Sequence, residues 1–543
     1  MSTEGDSKAG GKISARDAGL VSAAVMCSRV LGLVRELIFA KLFGAGFAMD
    51  AFVAAFRLPN LLRDLFAEGA LSTAFVTVFS QKIAREGDDA AWSLANKVAT
   101  MAVVLLSVVS ILGVVFTPQL VWLLADGYSP EKQQFTVLLA RIMFPFILLV
   151  SLAALAMGVL NSRRVFGAPS MASSYFNLGS IGGGLVLAWW MDPQFGERSV
   201  IGLALGTLVG GLWQLTSQFP ALRRTGYRFR PDFLWRDEGV RHVLLLMGPA
   251  VIAASAVQVN VMINGRFASY LGDGPMSWLS FAFRLMQLPL GVFGVAIGTV
   301  SLPLISRSAL AEDREEFSAL LARGIRMACL LTVPSTVGLV LLAEPIVSVI
   351  YEGGKFTAAS RLATASALQC YAVGLVAYSA IKVLQPTFYA IGRRSRPMWV
   401  SVAAIGLNLV FNWLFTFHWT MGYRGLALST GFVALCNFTA LYWMMGREVR
   451  TLHTGLLLRT LGKLVVACLP MGGLCGWAWH ASGGAWEQMH FVVRLGWLAS
   501  VIGISALSFF AAALALRVDG VEEVRALLWG KMSRLLRRGR PKS

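Results

Sequence analysis

Charge is scarce in this chain, and acid is scarcer than base. Asp, Glu, Lys and Arg make up only 14% of its 543 residues, against roughly 25% in soluble domains. Histidine is rarer still: the five residues His242, His418, His453, His480 and His490 fall at the ends of apolar stretches or between them. None stands beside a Cys or a carboxylate at ligand spacing, which argues against a zinc hydrolase. The six cysteines (Cys27, Cys329, Cys370, Cys436, Cys468, Cys475) lie inside apolar stretches and form no CxxC pair. A disulfide framework or zinc site is therefore not expected. No P-loop occurs, which argues against direct ATP hydrolysis, and Gly182-Gly183-Gly184 reads as close helix packing. The first twenty residues hold Lys8, Lys12 and Arg16 but no apolar core, so no cleavable leader is expected.

What the chain does have is apolar length. It is 56% hydrophobic with a mean hydropathy of +0.65, in blocks near or above the ~20 residues that cross a bilayer as a helix. The expected fold class is an all-α polytopic membrane protein with about fourteen transmembrane helices. Barrel strands are excluded by block length, since they need only ~9–11 residues. Pro59 in the second span and Pro289 in the eighth should bend their helices, as suits a cavity wall.

Lys and Arg in the connections set the orientation. With the N-terminus in the cytoplasm, roughly 32 basic residues fall on the inner side and about 5 on the other, a clear positive-inside bias. Both termini are then cytoplasmic. This placement absorbs much of the +19 net charge. The basic tail reads as attracted to anionic membrane lipids rather than to nucleic acid.

The chain repeats itself. Ala55-Phe56-Arg57-Leu58 returns as Ala282-Phe283-Arg284-Leu285, Leu42-Phe43-Gly44-Ala45-Gly46 is echoed by Leu271-Gly272-Asp273-Gly274, and Arg163-Arg164 by Arg393-Arg394. The shared offset of about 230 residues implies two six-helix lobes in parallel repeat plus two C-terminal helices. The expected organisation is an N-terminal cytoplasmic tail (1–17), an N-lobe (18–220), a cytoplasmic inter-lobe linker (221–241), a C-lobe (242–445), helices thirteen and fourteen (446–516) and a basic cytoplasmic tail (517–543). The linker is read as the joint about which the lobes rock.

Stretch 28–68 is apolar enough for a bilayer, yet it carries Arg29, Arg35, Glu36, Lys41, Asp50, Arg57, Arg63, Asp64 and Glu68. Intramembrane charges face a water-filled cavity or one another. Counting at ~1.5 Å per residue from the outer ends of their spans, Arg29, Arg35, Arg63 and Arg284 share a band roughly 10–20 Å deep. Four guanidiniums at one depth suit a multiply charged anion, because the planar fork matches phosphate oxygens. Arg57, Asp64 and Glu68 follow along one stripe of a helix. The alternative is that the arginines only pair with Glu36, Asp64 and Glu68 as ion pairs between helices. Lys41 and Asp50 can also be read as interfacial anchors, and Arg266 and Lys382 as cavity lining or as reaching an interface. Asn408 and Asn412 could hold a cation or bond between helices.

These residues carry a resemblance. Ser28-Arg29-Val30-Leu31-Gly32 with Arg35-Glu36, Phe43-Gly44-Ala45-Gly46, Asp50-Ala51-Phe52, Leu58-Pro59-Asn60-Leu61-Leu62-Arg63 and Ala67-Glu68-Gly69-Ala70 closely resemble the MurJ (MviN) family of bacterial lipid II flippases. Phe144-Pro145, Gly291-Val292-Phe293-Gly294-Val295-Ala296 and Gly354-Lys355-Phe356 extend the likeness over nearly the whole chain. The resemblance implies the multidrug/oligosaccharidyl-lipid/polysaccharide exporter fold, with a central cationic cavity and a lipid-tail groove on the last two helices. It implies cavity arginines at Arg29, Arg35, Arg63 and Arg284, an outer-gate aspartate at Asp50 and a second-span glutamate at Glu68. With them Ser28, Glu36, Arg57, Asp64, Arg266 and Lys382 are gate or cavity candidates. Family members often carry acids flanking the eighth-span arginine; Phe283 and Gln287 stand there instead, which puts in doubt a carboxylate clamp on that span.

The expected function is a flippase moving lipid II to the periplasmic leaflet of the bacterial inner membrane by alternating access, as a monomer and without a cofactor. A coupling ion or the membrane potential would drive it, and cell-wall synthesis proteins are candidate partners. The rivals are an exporter of another polyprenyl-linked oligosaccharide, a drug/cation antiporter, which would want an acidic cavity, and a membrane enzyme acting on lipid phosphates, which would need water-facing carboxylates or histidines.

Overall fold

The computed structural model describes residues 15–65, 71–311, 313–449 and 452–522. Glu68, and most of the two terminal tails with the basic residues assigned to lipid, lie outside them. Among the described residues the regular structure is helical. In chain order the helices are α1 (Ala15–Phe43), α2 (Phe47–Arg63), α3 (Ser72–Glu86), α4 (Asp88–Val115), α5 (Thr117–Ala125), α6 (Pro130–Met143), α7 (Phe146–Ser162), α8 (Gly167–Met191), α9 (Val200–Thr216), α10 (Phe219–Arg224) and α11 (Glu238–Ser269). There follow α12 (Pro275–Pro289), α13 (Val295–Leu310), α14 (Arg314–Leu341), α15 (Ala343–Tyr351), α16 (Ala358–Ala372), α17 (Leu375–Ala390), α18 (Ser395–Trp413), α19 (Tyr423–Glu448), α20 (Thr454–Ser482) and α21 (Phe491–Ala515).

Every stretch expected to span contains helix. Among the described residues eight helices, or nine with the pair α16–α17 bent by 44°, are by length and hydropathy fit to cross a membrane. Helices α1, α2 and α12 are not among them. They carry Arg29, Arg35, Arg63 and Arg284, and two of them, α2 and α12, are short, at 17 and 15 residues.

The helix breaks repeat as well. After Arg63 the chain winds more widely at Asp64–Leu65 and again at Leu71, on either side of the undescribed 66–70. After Pro289 the same widening runs over Leu290–Gly294. Pro59 itself sits inside α2 without ending it, and Pro289 closes α12. Such wide turns release backbone groups and favour functional positions.

The chain divides into two compact units, Met1–Gly274 and Pro275–Ser543. In the first, α8 lies along α9, α1 along α8 and α2 along α6. The glycine run closes that packing: a Cβ on Gly206 would lie 2.3 Å from the Gly184 Cα, so the two backbones touch. Phe75, Phe79, Leu94 and Leu160 fill the core between α3, α4 and α7. In the second unit α14 packs on α17 and α20, α18 on α19 and α20 on α21. Leu321, Leu384, Phe388 and Leu464 form its centre.

The expected joint at 221–241 behaves differently. Arg230 donates its backbone N–H to Asn96 Oδ1 at 3.2 Å, and Asp232 donates to Thr100 Oγ1 at 3.0 Å. Tyr227 packs on Trp92, ring centroids 5.4 Å apart. Asp237 caps α11 by accepting from the Gly239 N–H at 2.8 Å, and it pairs with Lys97 Nζ at 2.8 Å. Burial opposes the charge of Asp237, yet these bonds outweigh it and hold the carboxyl below the ordinary Asp range. Helix α11 in turn packs against α3 and α5. The linker and the seventh span are therefore fastened to the first unit. The chain divides after Gly274, in a turn where Gly272 and Gly274 take φ of 85° and 109°, conformations that favour glycine.

Candidate functional site

The first unit holds most of the charged candidates on α1 and α2. Arg35 lies 3.9 Å from Glu36, both largely buried, and its guanidinium sits over the Phe176 ring at 5.3 Å. The negative face of the ring attracts the cation and helps to hold it there. Ser28 is tied to α8 through its carbonyl, which accepts from Asn177 Nδ2 at 3.1 Å. Arg29 is exposed. Arg63 grips its neighbour Asp64 at 2.9 Å through Nη2 and 3.2 Å through Nε. The other Asp64 oxygen accepts from Gln258 Nε2 on α11 at 3.1 Å. Arg57 lies against Gly265 of α11, where a Cβ would approach Nη1 to 3.1 Å. Arg266 pairs with Asp126, which also accepts from the Tyr270 hydroxyl at 2.7 Å, and the guanidinium lies over Trp122.

Asp50 is fully buried in the first turn of α2, which removes the reading of it as an interfacial anchor. Its Oδ2 accepts from Lys132 Nζ at 3.0 Å and from the Gly274 N–H at 2.7 Å. Lys132 also pairs with Asp273 at 2.7 Å and lies over the Tyr128 ring at 4.1 Å. A buried carboxylate needs such partners, because a lone one costs several kcal/mol to desolvate. Sequence reasoning missed Lys132, which reads as a loop residue between the third and fourth spans. The available signal was Ser129-Pro130, an N-cap with Pro at the first helical position. In the structure the Ser129 hydroxyl accepts from the Lys132 N–H, so α6 starts early enough to place the ammonium inside.

In the second unit Arg284 on α12 and Lys382 on α17 are exposed. Beside Arg284, Phe283 packs edge-on against Tyr371 at 5.3 Å, where an acid would have been needed for a clamp. Asn408 and Asn412 are buried and bond to each other, Asn412 Nδ2 to Asn408 Oδ1 at 3.0 Å, while the Ser429 hydroxyl of α19 donates to Asn412 Oδ1. That bonding joins α18 to α19. Among the described residues no group of three or more His, Cys, Asp or Glu is arranged to hold a metal.

A second charged cluster was not foreseen. Arg361, 6% exposed, lies 2.8 Å from Glu352 and 3.4 Å from both Glu344 and Glu487. Arg494 reaches Glu352 at 3.4 Å and donates to the Glu487 carbonyl at 2.9 Å. The buried Trp486 donates to Ser348 Oγ at 3.1 Å. The connection between α20 and α21 is thus clasped to α15 and α16.

Repeated helical units with ion pairs partly buried among apolar helices define a polytopic membrane protein of the transporter type. The solved structures it resembles agree. A chain described as "Lipid II flippase MurJ, inward closed conformation" matches with a TM-score of 0.75 at 24% identity, over 92% of this chain and 99% of that one. An inward-facing multidrug resistance MATE family transporter of the MOP superfamily matches at 0.66 and 16% identity, over 80% of this chain and 99% of the other. These likenesses show the fold. The sequence profile of the family "Lipid II flippase MurJ" matches residues 39–496. A lipid II flippase MurJ of Burkholderia cenocepacia is 36% identical over 84% of this chain and 88% of its own length. A probable lipid II flippase MurJ of Vibrio cholerae is 34% identical over 92% and 95%. The chain belongs to the lipid II flippase MurJ family.

Proposed function

We propose that this chain moves lipid II from the cytoplasmic to the periplasmic leaflet of the bacterial inner membrane by alternating access, with both termini in the cytoplasm. The observation that carries this reading is the set of guanidiniums on α1 and α2, inside an apolar chain. Arg35 lies over Phe176 and Arg63 is bonded to Asp64, while Arg29 is exposed on the same helix as Arg35. Guanidiniums held by a ring or a neighbouring carboxylate are partly pre-organised for a diphosphate, which lowers the entropy lost on binding. The head of lipid II is too polar for hydrocarbon, so a polar chamber must replace its hydration. The polyprenyl chain would stay in lipid beside α20 and α21, whose outer faces expose Leu469, Trp477, Val492 and Leu507.

Each of Arg29, Arg35, Arg63 and Arg284 is changed to Ala and measured for folded protein and for lipid II binding. Loss of a charge-assisted contact worth on the order of 1.5–3 kcal/mol lowers affinity by about tenfold to a hundredfold, with Lys restoring part of it. Normal folding with unchanged binding in all four variants overturns the site. Translocation in vesicles holding only this protein, with and without a membrane potential, tests the activity. Phosphate release from lipid II in that assay would instead assign an enzyme.

A further inference from the structure

Residues 227–236 carry an exposed pattern that lipid II transport does not use. Phe229, Phe233, Leu234 and Trp235 are 51%, 65%, 70% and 38% exposed. Arg228, Arg230 and Arg236 are exposed among them. The backbone is not free to turn these side chains inward. Its N–H groups at Arg230 and Asp232 are held by Asn96 and Thr100 of α4. Of the nearby carboxylates, Asp237 is paired with Lys97, and Asp232 accepts from the Leu234 N–H at 3.0 Å. Three arginines against the single Asp232 leave residues 227–236 net positive.

The depth of the segment is set by its partners. Asn96 and Thr100 lie about 12 and 18 Å along α4 from Asp88, at ~1.5 Å per residue. Lys97 is the last charged residue of α4, and only apolar and small polar residues follow. The segment therefore runs across the level at which α4 changes from charged to apolar. Beyond that level α4 exposes Val104, Leu105 and Val108, and α11 exposes Leu244, Leu245 and Leu246, as lipid-facing surfaces do. An irregular segment rich in aromatic and arginine side chains at that level fits the headgroup zone. There ring and leucine side-chain carbons sit among acyl carbons, and guanidiniums meet phosphates.

We infer that residues 227–236 form an interfacial binding surface for anionic phospholipid headgroups, with Phe229, Phe233, Leu234 and Trp235 inserted between acyl chains and Arg228, Arg230 and Arg236 on the phosphates. The surface belongs to the first unit and not to a swinging connection, so it anchors that unit against the bilayer. The inference does not depend on the cargo, and its test uses no lipid II.

The full chain is placed in nanodiscs of phosphatidylcholine alone or with phosphatidylglycerol, and amide hydrogen exchange is followed in peptides covering 227–236. Phosphatidylglycerol slows exchange there by roughly threefold or more, because opening must withdraw the segment from the headgroups. The buried middle of α7 serves as an internal control and does not change. The triple variant Arg228→Gln, Arg230→Gln, Arg236→Gln loses the lipid dependence while keeping the size-exclusion profile of the parent. A second variant, Phe233→Ser with Leu234→Ser, loses protection in both discs. Equal exchange in both discs for the parent overturns the proposal. Protection found in native membranes but in neither disc assigns the surface to a protein partner and overturns it equally.

Discussion

Lys132 and Asp50 form a buried ion pair, Nζ 3.0 Å from Oδ2, with 2% and 0% of their side chains exposed. The pair joins the start of α6 to the start of α2 and, through Asp273 and the Gly274 N–H, holds the last turn of the first unit. Lys132→Met leaves a buried carboxylate without its counter-ion, and stability falls by about 3–5 kcal/mol. The double variant Lys132→Met, Asp50→Leu recovers most of that loss, since a well-packed apolar pair replaces a buried ion pair at little net cost. Thermal unfolding in one detergent measures both. A single variant as stable as the parent would show that the pair holds nothing.

Arg361 is the corresponding buried cation of the second unit, in the first turn of α16, and its partners include Glu487 of the connection between α20 and α21. Arg361→Gln keeps a donor and removes the charge that binds three carboxylates. The connection 483–489 then opens, and limited proteolysis cuts there several times faster than in the parent. Cleavage at the parent's rate would mean that Arg494 and Trp486 hold the connection without Arg361.

Two neighbouring glycine positions make opposite predictions. A side chain on Gly206 meets the backbone of Gly184, whereas one on Gly182 meets nothing within 4 Å. Gly206→Val should force α8 and α9 apart and cost about 1–3 kcal/mol or more as overpacking. Gly182→Ala should be neutral or slightly stabilising, as for an exposed helical glycine. The amount of folded protein extracted from membranes separates the two, and equal yields would contradict the packing.

Topology is read by labelling. Gly484 and Gly226 are both exposed in the structure. With the basic connections inside, a cysteine at Gly484 reacts with an impermeant thiol reagent in intact cells and one at Gly226 reacts only after lysis. The reverse pattern would invert the proposed orientation.

The sequence by itself determined the class of protein. Apolar block length decides for membrane-spanning helices, because nothing else satisfies the backbone in hydrocarbon over ~20 residues. In the repeat of Ala55–Leu58 at Ala282–Leu285, the matching positions Ala55 and Ala282, and Leu58 and Leu285, are buried in both copies. Arg35, Arg63 and Asp64 stood out because a charge inside an apolar run is anomalous without any knowledge of its neighbours. Tertiary structure alone decided which partners each charge takes. Lys132 and Arg361 each sit at the mouth of a span, where a charge is unremarkable in sequence, and only the fold carries them into a buried place beside the distant carboxylates Asp50 and Glu487. The same holds for the connection near residue 230. Its Gly, Pro and Arg content reads as a loose joint, yet Asn96, Lys97 and Thr100 fasten it. Local composition describes what a segment could do in water, whereas the hydrogen bonds that hold it belong to residues over a hundred positions away.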